Sequence, residues 1–207
     1  MTWQIWIWVP IFYGVFSLWY FNRRAPLSQA EVEEFLDRFI ELEGSIHTEQ
    51  AVMRKFLEED DGKEFVMLNL IQLHKGEVPH PVTGEKQKPR ELIAMYFRSF
   101  SFASMKRGGH PVFQARTVGG NIDSWNADSN VGFMVTSMMR YKSRRDLIEL
   151  LIDTAFADSH LYKLAAIERT ISYPTQTMFS VSLRPPVSVI LALLLLASIA
   201  QNFAFLA

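Results

Sequence analysis

The stretch Phe65-Val-Met-Leu-Asn-Leu-Ile-Gln-Leu73 decides the fold of this chain. It is an almost continuous apolar run with Asn69 in its middle, and turn-forming residues bound it on both sides. Asp60-Asp61-Gly62 upstream is typical of a turn, and residues 74–88 downstream are rich in Gly, Pro, Lys and Glu and predict a long loop. A short apolar run between such segments predicts a strand that is buried on both faces.

Helical and strand patterns alternate downstream of this strand. Helical spacing begins at Pro89, and a second helix opens at 142–145, with a break near Asp158 and a continuation to about Ile167. The remaining strands are predicted at 111–118, 131–141 and 170–182. The order strand, helix, strand, strand, helix, strand is the ferredoxin-like arrangement, which predicts an α+β domain over residues 63–183.

Residues 25–62 predict a helical linker region ahead of that domain. Ser28 followed by Glu31 has the spacing of a capping box, which opens a helix that runs to about Glu43 and is ended by Gly44. A second short helix is predicted from Thr48 to Glu58.

Three stretches carry a resemblance to a known family. They are Met138-Met-Arg-Tyr-Lys-Ser-Arg-Arg-Asp-Leu-Ile-Glu-Leu-Leu-Ile-Asp-Thr-Ala-Phe156, then His160 with Leu164-Ala-Ala-Ile-Glu-Arg-Thr170, and Val66-Met-Leu-Asn-Leu70. Over about residues 64–180 the chain resembles an uncharacterised family of dimeric α+β-barrel proteins. These are relatives of the antibiotic-biosynthesis monooxygenases and of the ethyl-ether-degradation accessory proteins. The resemblance implies a dimer in which two four-stranded sheets face each other.

The activity stays open at this point, because that superfamily includes cofactor-free monooxygenases, isomerases, haem enzymes and proteins with no known chemistry. The cofactor is therefore unknown. Net charge is −1, which does not suggest a nucleic-acid partner, and the absence of cysteine excludes disulfides and a cysteine nucleophile. His74 and His80 lack a companion at metal-ligand spacing, so no metal site is predicted.

Charge is missing from both ends of the chain. Every Lys, Arg, Asp and Glu lies between Arg23 and Arg184. Residues 1–22 and 185–207 are each about as long as a bilayer-crossing helix, roughly 20 residues, and we predict a transmembrane helix in each. A cleaved signal peptide is the rival interpretation of the first segment, but no basic residue precedes its apolar run.

Aromatic and basic residues predict where these segments meet the membrane surface. The expected interface residues are Trp3, Trp6, Trp19, Tyr20, Arg23, Arg24 and Arg184. Because the three arginines flank the inner ends of the two segments, the positive-inside rule predicts an inner (cytoplasmic) membrane protein. Its central domain is expected in the cytoplasm and both termini on the opposite side.

Polar residues within the α+β domain are the candidate site residues. His110 and His160 are the candidate catalytic residues, and His110, which follows Gly108-Gly109 at the mouth of a strand, could be a general base or a haem ligand. Both are also compatible with ordinary polar surface positions. Asn69 is a polar group in an apolar strand that could orient a ligand or bond the backbone across the sheet. The predicted ligand pocket comprises Asn69, Tyr96, Arg116 and Tyr162.

Two functions are compatible with these features. The first is a membrane-anchored accessory or scaffolding subunit of an inner-membrane protein complex. The second is a membrane-bound α+β-barrel enzyme, monooxygenase- or isomerase-like, that acts on a small hydrophobic or quinone-like compound. The expected partners are membrane lipids and either a second copy of the chain or the subunits of a larger membrane complex.

The charge placement generates a topology prediction. Reporter fusions within residues 25–184 should report a cytoplasmic location, because the basic flanks of both segments are retained on that side. Protease added to intact cells should leave this region whole, and protease added to lysed cells should cut it. Digestion of the central region in intact cells would overturn the orientation.

Overall fold

The computed structural model describes residues 2–42, 48–126 and 132–206. The chain divides into two compact units. One unit is Arg24–Gln176, and the other combines Met1–Arg23 with Thr177–Ala207. The helices predicted as a linker over residues 25–62 therefore belong to the same compact unit as the sheet.

A four-stranded antiparallel sheet forms the frame of the first unit. Its strands are β1 (Phe65–Leu73), β4 (His110–Arg116), β5 (Val135–Tyr141) and β6 (Ile167–Thr175), in the order β4-β5-β1-β6. A two-stranded hairpin of β2 (Val78–Pro79) and β3 (Lys86–Gln87) lies in the segment predicted as a loop. The prediction of a mixed α+β domain is confirmed.

The first predicted strand is an inner strand of this sheet. β1 pairs with β5 along one edge and with β6 along the other, so that Leu68 lies opposite both Met138 and Tyr173. Val66 and Ile71, which point to opposite faces, are both buried. The apolar run therefore satisfies its backbone hydrogen bonds on both edges. Burial of side chains on both of its faces explains why it tolerates few polar residues.

Three helices cover one face of the sheet. They are α4 (Pro89–Lys106), α5 (Arg144–Leu151) and α6 (Thr154–Ala166). The buried side chains of this first core are Phe65, Met139 and Tyr141 from the sheet, Leu92, Ile93, Tyr96 and Phe100 from α4, Leu147 and Leu150 from α5, and Ala166 from α6. We call this side of the sheet the helix-covered face and the other side the open face.

A second core joins the upstream helices to α5. Helices α2 (Gln29–Glu41) and α3 (Gln50–Glu58) bury Val32, Phe35, Leu36, Phe39 and Leu57 against Ile148 and Ile152. The predicted capping box is present, with Ser28 accepting from the Glu31 backbone N–H and the Glu31 carboxylate accepting from the Ser28 N–H. Phe56 and Leu151 pack against both cores. The predicted helix end at Glu43 and Gly44 lies outside the described residues.

An ion pair strengthens this junction. The Arg145 guanidinium donates to the Glu31 carboxylate, with 3.0 Å from Nη2 to Oε2. This hydrogen bond, followed by those from Ser28, lowers the pKa of Glu31 from its ordinary value to about 2. Glu31 is therefore ionised at neutral pH, as both the cap and the ion pair require.

Three predicted boundaries were wrong by about four residues or more. The last strand ends at Thr175 rather than at residue 182, because Thr175 pairs with Val66 at the start of β1 and no strand continues beyond it. β5 begins at Val135 rather than at 131, a residue outside the described part of the chain. The helix break falls at Ile152–Asp153 rather than at Asp158, and Asp153 is held there by Arg107 at 2.8 Å.

The terminal unit contains a six-residue 3-10 helix, Thr2–Ile7, followed by α1 (Trp8–Tyr20), and also α7 (Pro185–Leu206). α1 and α7 contact each other, and both contact the 3-10 helix. Among the described residues, one helix is long and apolar enough to cross a bilayer, over the 20 residues Pro185–Ala204. Because the N-terminal run is divided between two helix types, the predicted second transmembrane helix is not confirmed.

The second core generates a stability prediction. Ile148 is fully buried between the helices, so Ile148→Ala should lower the free energy of unfolding by about 3 kcal/mol through lost burial and a residual cavity. Ile40 of α2 is 43% exposed, and Ile40→Ala should cost less than about 0.5 kcal/mol. Denaturant titration of the detergent-solubilised chain measures both, and equal effects would contradict this packing.

Candidate functional site

Tyr96, His160 and Lys163 meet between α4 and α6, and we call them the α4–α6 cluster. The rings of Tyr96 and His160 lie 6.2 Å apart at an interplanar angle of 71°, in an edge-to-face arrangement. The Lys163 Nζ atom lies over the Tyr96 ring, 5.8 Å from its centroid. Two predicted site residues, Tyr96 and His160, are thus brought together, and a lysine that the sequence did not single out joins them.

Helical periodicity places these residues in contact. Tyr96 falls on the buried stripe of α4 and stacks on Phe100 with ring centroids 5.4 Å apart. Phe97 adds an edge contact to Tyr96 at the same centroid distance of 5.4 Å. On α6, His160 and Lys163 are three residues apart and so lie on neighbouring positions of one helix surface. The result is an aromatic environment with one ammonium group.

Burial sets the charge states of this cluster. It raises the pKa of Tyr96 well above its usual range, with a smaller contribution from nearby Tyr141, so the phenol stays neutral. Burial also lowers the pKa of Lys163 from its ordinary value. A lysine with a lowered pKa beside a neutral phenol can bind an anion or take part in proton transfer.

Tyr162 contacts a histidine rather than the α4–α6 cluster. Its ring meets the ring of His80 edge to face, with centroids 5.5 Å apart. His80 is fixed by the β2–β3 hairpin, where its Nδ1 accepts hydrogen bonds from the backbone N–H groups of Val82 and Thr83 at 3.2 and 3.1 Å. Nδ1 therefore carries no proton in this arrangement. Spacing alone did not reveal His80, because its contact depends on a hairpin within a predicted loop.

His110 lies at the first position of β4, directly opposite Arg140 of β5. Because Met139 and Tyr141 belong to the helix-side core, strand alternation directs Arg140 and His110 toward the open face. His110 Nδ1 donates to the Pro111 carbonyl at 3.0 Å. Burial, together with the Arg140 charge, lowers the pKa of His110 despite that hydrogen bond. The two candidate catalytic histidines therefore belong to different sides of the sheet.

Arg140 organises the sheet end near His110. Its Nε and Nη2 atoms donate to Glu64 Oε2 at 2.9 and 2.7 Å, and its Nη1 donates to the Gly108 carbonyl at 2.7 Å. Arg140 itself is only 3% exposed. Gly108 adopts a positive φ of 75°, which a residue with a side chain rarely adopts. This network holds the turn before β4 and gives Arg140 a structural role.

Asn69 belongs to a polar row on the helix-covered face. Cross-strand pairing aligns Gln114, Ser137, Asn69 and Ser172 across all four strands. Ser172 Oγ donates to Asn69 Oδ1 at 2.8 Å, and Asn69 Nδ2 donates to the Met67 carbonyl at 3.1 Å. The sheet therefore satisfies the Asn69 amide. Arg116 stands apart as an exposed side chain at the end of β4, opposite Val135.

The predicted membrane-interface residues divide between the two units. In the terminal unit Trp6 Nε1 donates to Gln201 Oε1, Trp3 is exposed, and Trp19 and Tyr20 pack on Phe16. Arg23 follows α1, and the Arg184 carbonyl accepts from the N–H groups that open α7. Arg24 belongs to the other unit, where it pairs with Asp146 at 2.8 Å and Glu149 at 2.6 Å.

A polar cleft of about 220 Å³ lies near the start of β1. Arg144 borders it, with its guanidinium 4.9 Å above the Phe56 ring centroid and its Nη1 donating to the Phe56 carbonyl at 2.6 Å. Through these contacts Arg144 packs against α3, which contains Phe56. No group of three His, Cys, Asp or Glu that could hold a metal ion occurs in the part of the chain that the structure describes.

Comparison with solved structures finds two similar crystal structures. The RPA0582 protein, described as a protein of unknown function from Rhodopseudomonas palustris, is 19% identical with a TM-score of 0.54, over 65% of this chain and 98% of that one. Methylated RPA0582 protein is 20% identical with a TM-score of 0.55, over 66% of this chain and 97% of that one. At such identities the likeness shows the α+β fold alone. No family model matches the chain, and no curated protein matches it.

The Arg140 network generates a prediction about the His110 end of the sheet. Arg140→Met should lower the free energy of unfolding by about 3 kcal/mol, because Glu64 and the Gly108 carbonyl lose the buried guanidinium that they share. Arg116→Met is the matched control on the exposed end of β4 and should change it by less than about 0.5 kcal/mol. Denaturant titration compares the two, and a stable Arg140→Met variant would refute the structural role.

Proposed function

We propose that this protein is a membrane-anchored accessory or scaffolding subunit of an inner-membrane protein complex, and that it associates through the open face of its sheet. The observation that carries this proposal is an apolar row on that face. Phe113, Met138, Leu68 and Tyr173 lie opposite one another across all four strands. A second row on the same face contains Ala115, Thr136, Leu70 and Ile171.

This row is accessible to a partner. Phe113 is 49% exposed and Tyr173 is 53% exposed, while Leu68 and Met138 between them are half-buried. A contiguous apolar patch of this kind is unusual on a solitary soluble domain and is typical of an interaction surface. Tyr173, at one end of this row, is of a residue type that is enriched among the residues contributing most to binding energy.

We further propose that the domain is ferredoxin-like and that two copies pack sheet to sheet as a dimeric α+β barrel. The strand order β4-β5-β1-β6, with α4, α5 and α6 packed on one face, supports this arrangement. Two such sheets pack about 10 Å apart and would bury the rows of both open faces. The dimer implied by the family resemblance thus has a matching surface.

Membrane anchoring by both ends is the second element of the proposal. The 3-10 helix has six residues at about 2.0 Å each and α1 has 13 at about 1.5 Å each, which together reach about 30 Å, the thickness of a bilayer core. The hydrogen bond from Trp6 to Gln201 would join this span to α7. We place the Arg24–Gln176 unit in the cytoplasm, as the flanking arginines favour.

The alternative function is a membrane-bound enzyme, monooxygenase- or isomerase-like, acting on a small hydrophobic or quinone-like compound. The α4–α6 cluster favours it, because a neutral buried phenol, an imidazole and an ammonium group meet there. A relationship to the antibiotic-biosynthesis monooxygenases is part of this alternative. The accessory role requires the open face for association, whereas the enzymatic alternative requires His160.

Association through the open face can be tested with two differently tagged full-length copies, co-expressed and solubilised in mild detergent. Wild-type copies should co-purify. Met138→Asp should abolish co-purification without unfolding the protein, because the carboxylate would be desolvated at the centre of the interface. Met95→Asp, at an exposed position of α4, is the matched control and should leave co-purification intact.

The same preparation separates the accessory role from the enzymatic alternative. For an accessory subunit, His160→Ala and His110→Ala should leave native-membrane partners bound, and replacing residues 1–22 by an unrelated Leu-rich span should release them. Mass spectrometry of the purified complex identifies the partners. Loss of cellular function from the histidine variants, with a tolerated replacement of the span, would instead favour the enzyme.

A further inference from the structure

We infer that residues 177–184, which we call the connecting segment, lie on the surface of a lipid bilayer with their apolar side chains in contact with the lipid. The segment follows β6 and leads into α7, and it belongs with α7 to the terminal unit. This inference rests on the proposed membrane anchoring, because it requires α7 to span the bilayer. It adds a lipid contact outside the spanning helix.

The connecting segment exposes a dense run of large apolar side chains. Met178, Phe179, Val181 and Leu183 are 66% to 100% exposed. The described cores of the sheet and of the upstream helices include none of these four residues. Single apolar residues on a surface are ordinary, whereas a contiguous run is typical of a surface that another molecule or a membrane covers.

The position of the segment in the chain favours a bilayer as the covering surface. It ends at Arg184, and the 20 residues that are long and apolar enough to cross a membrane begin at Pro185. Most of that apolar helix is exposed, as expected of a helix in lipid rather than in a protein core. Each residue of the segment reaches at most about 3.6 Å, which keeps the segment near the start of α7. Residues 170–183 contain no Lys, Arg, Asp or Glu, so contact with lipid desolvates no charged side chain there.

The backbone of the segment limits how deeply it can enter the bilayer. It is neither helix nor strand, and irregular backbone facing lipid does not occur within the hydrocarbon core, where its polar groups would lack partners. Two serines satisfy part of this requirement locally. The Ser182 backbone N–H donates to Ser180 Oγ at 3.2 Å, and the two hydroxyl oxygens lie 3.3 Å apart. The segment therefore suits the headgroup region, with its apolar side chains reaching about 5 to 10 Å toward the acyl chains, as interfacial helices do.

The test uses single-cysteine spin labels, because the chain has no cysteine of its own. The full chain with one label is placed in phosphatidylcholine nanodiscs. Collision of the label with oxygen, which concentrates in lipid, is compared with collision with a water-soluble nickel chelate. Phe179→Cys and Val181→Cys report on the connecting segment. Val82→Cys, at an exposed valine of the β2–β3 hairpin, is the matched control, and Leu195→Cys, at an exposed position of α7, reports on the span itself.

The labels at Phe179 and Val181 should have an oxygen-to-nickel ratio several-fold above that of the label at Val82, and the label at Leu195 should lie deeper still. Water-exposed labels at Phe179 and Val181 with a lipid-exposed label at Leu195 would overturn this inference and leave the anchoring by α7 intact. A water-exposed label at Leu195 would overturn both. Low collision with both reagents in the connecting segment would indicate a protein partner and would also contradict the lipid contact.

A charge substitution separates an apolar contact from mere nearness to α7. In the chain labelled at Phe179→Cys, the added change Val181→Asp should raise nickel collision several-fold, because the carboxylate stays in water and draws the segment away from the lipid. Ser182→Asp is the matched control, since it adds the same charge at a side chain that already bonds to Ser180, and it should leave the label shielded. A label that stays shielded in Val181→Asp, or equal effects of the two changes, would refute the apolar contact.

Discussion

The pairing of β1 with both β5 and β6 is the constraint on which the rest of this structure depends. Side chains alternate between the faces of a strand, so a shift of β1 by one residue would exchange its helix-covered and open sets. Holding β1 from both edges fixes Phe65 under the helices and Leu68 on the open face. The same registers align one residue from each of the four strands, and these aligned rows form the apolar and polar rows of the two sheet faces.

The two faces have an unusual distribution of polarity. A one-layer helix covering normally leaves a polar sheet face toward water. Here the open face carries a row of apolar side chains, whereas the helix-covered face contains a polar row with Ser137 buried at its centre. The open face thus exposes apolar side chains, and the helix-covered face is only partly apolar. The first property favours association, and the second leaves polar groups near the helix layer.

The sequence predicted elements that depend on local chemistry and missed those that depend on distant partners. The capping box at Ser28 and the helix start at Pro89 follow from neighbouring residues and are confirmed. The alternation that continues to Val181 is typical of a strand, yet β6 ends at Thr175, which pairs with Val66 one residue after the start of β1. Likewise Tyr96 could be selected as a polar aromatic, but its contact with Lys163 depends on how α4 and α6 lie side by side.

The second core has a consequence for biosynthesis. Leu57 emerges from the ribosome before every strand of the sheet, whereas Ile148, which belongs to the same core, emerges only after β5. The apolar faces of helices α2 and α3 therefore lack their packing partners on α5 until residues 148 and 152 have been synthesised. A nascent chain with exposed apolar stripes, next to an apolar N-terminal segment, is a natural client for chaperones and for the membrane surface until α5 is complete.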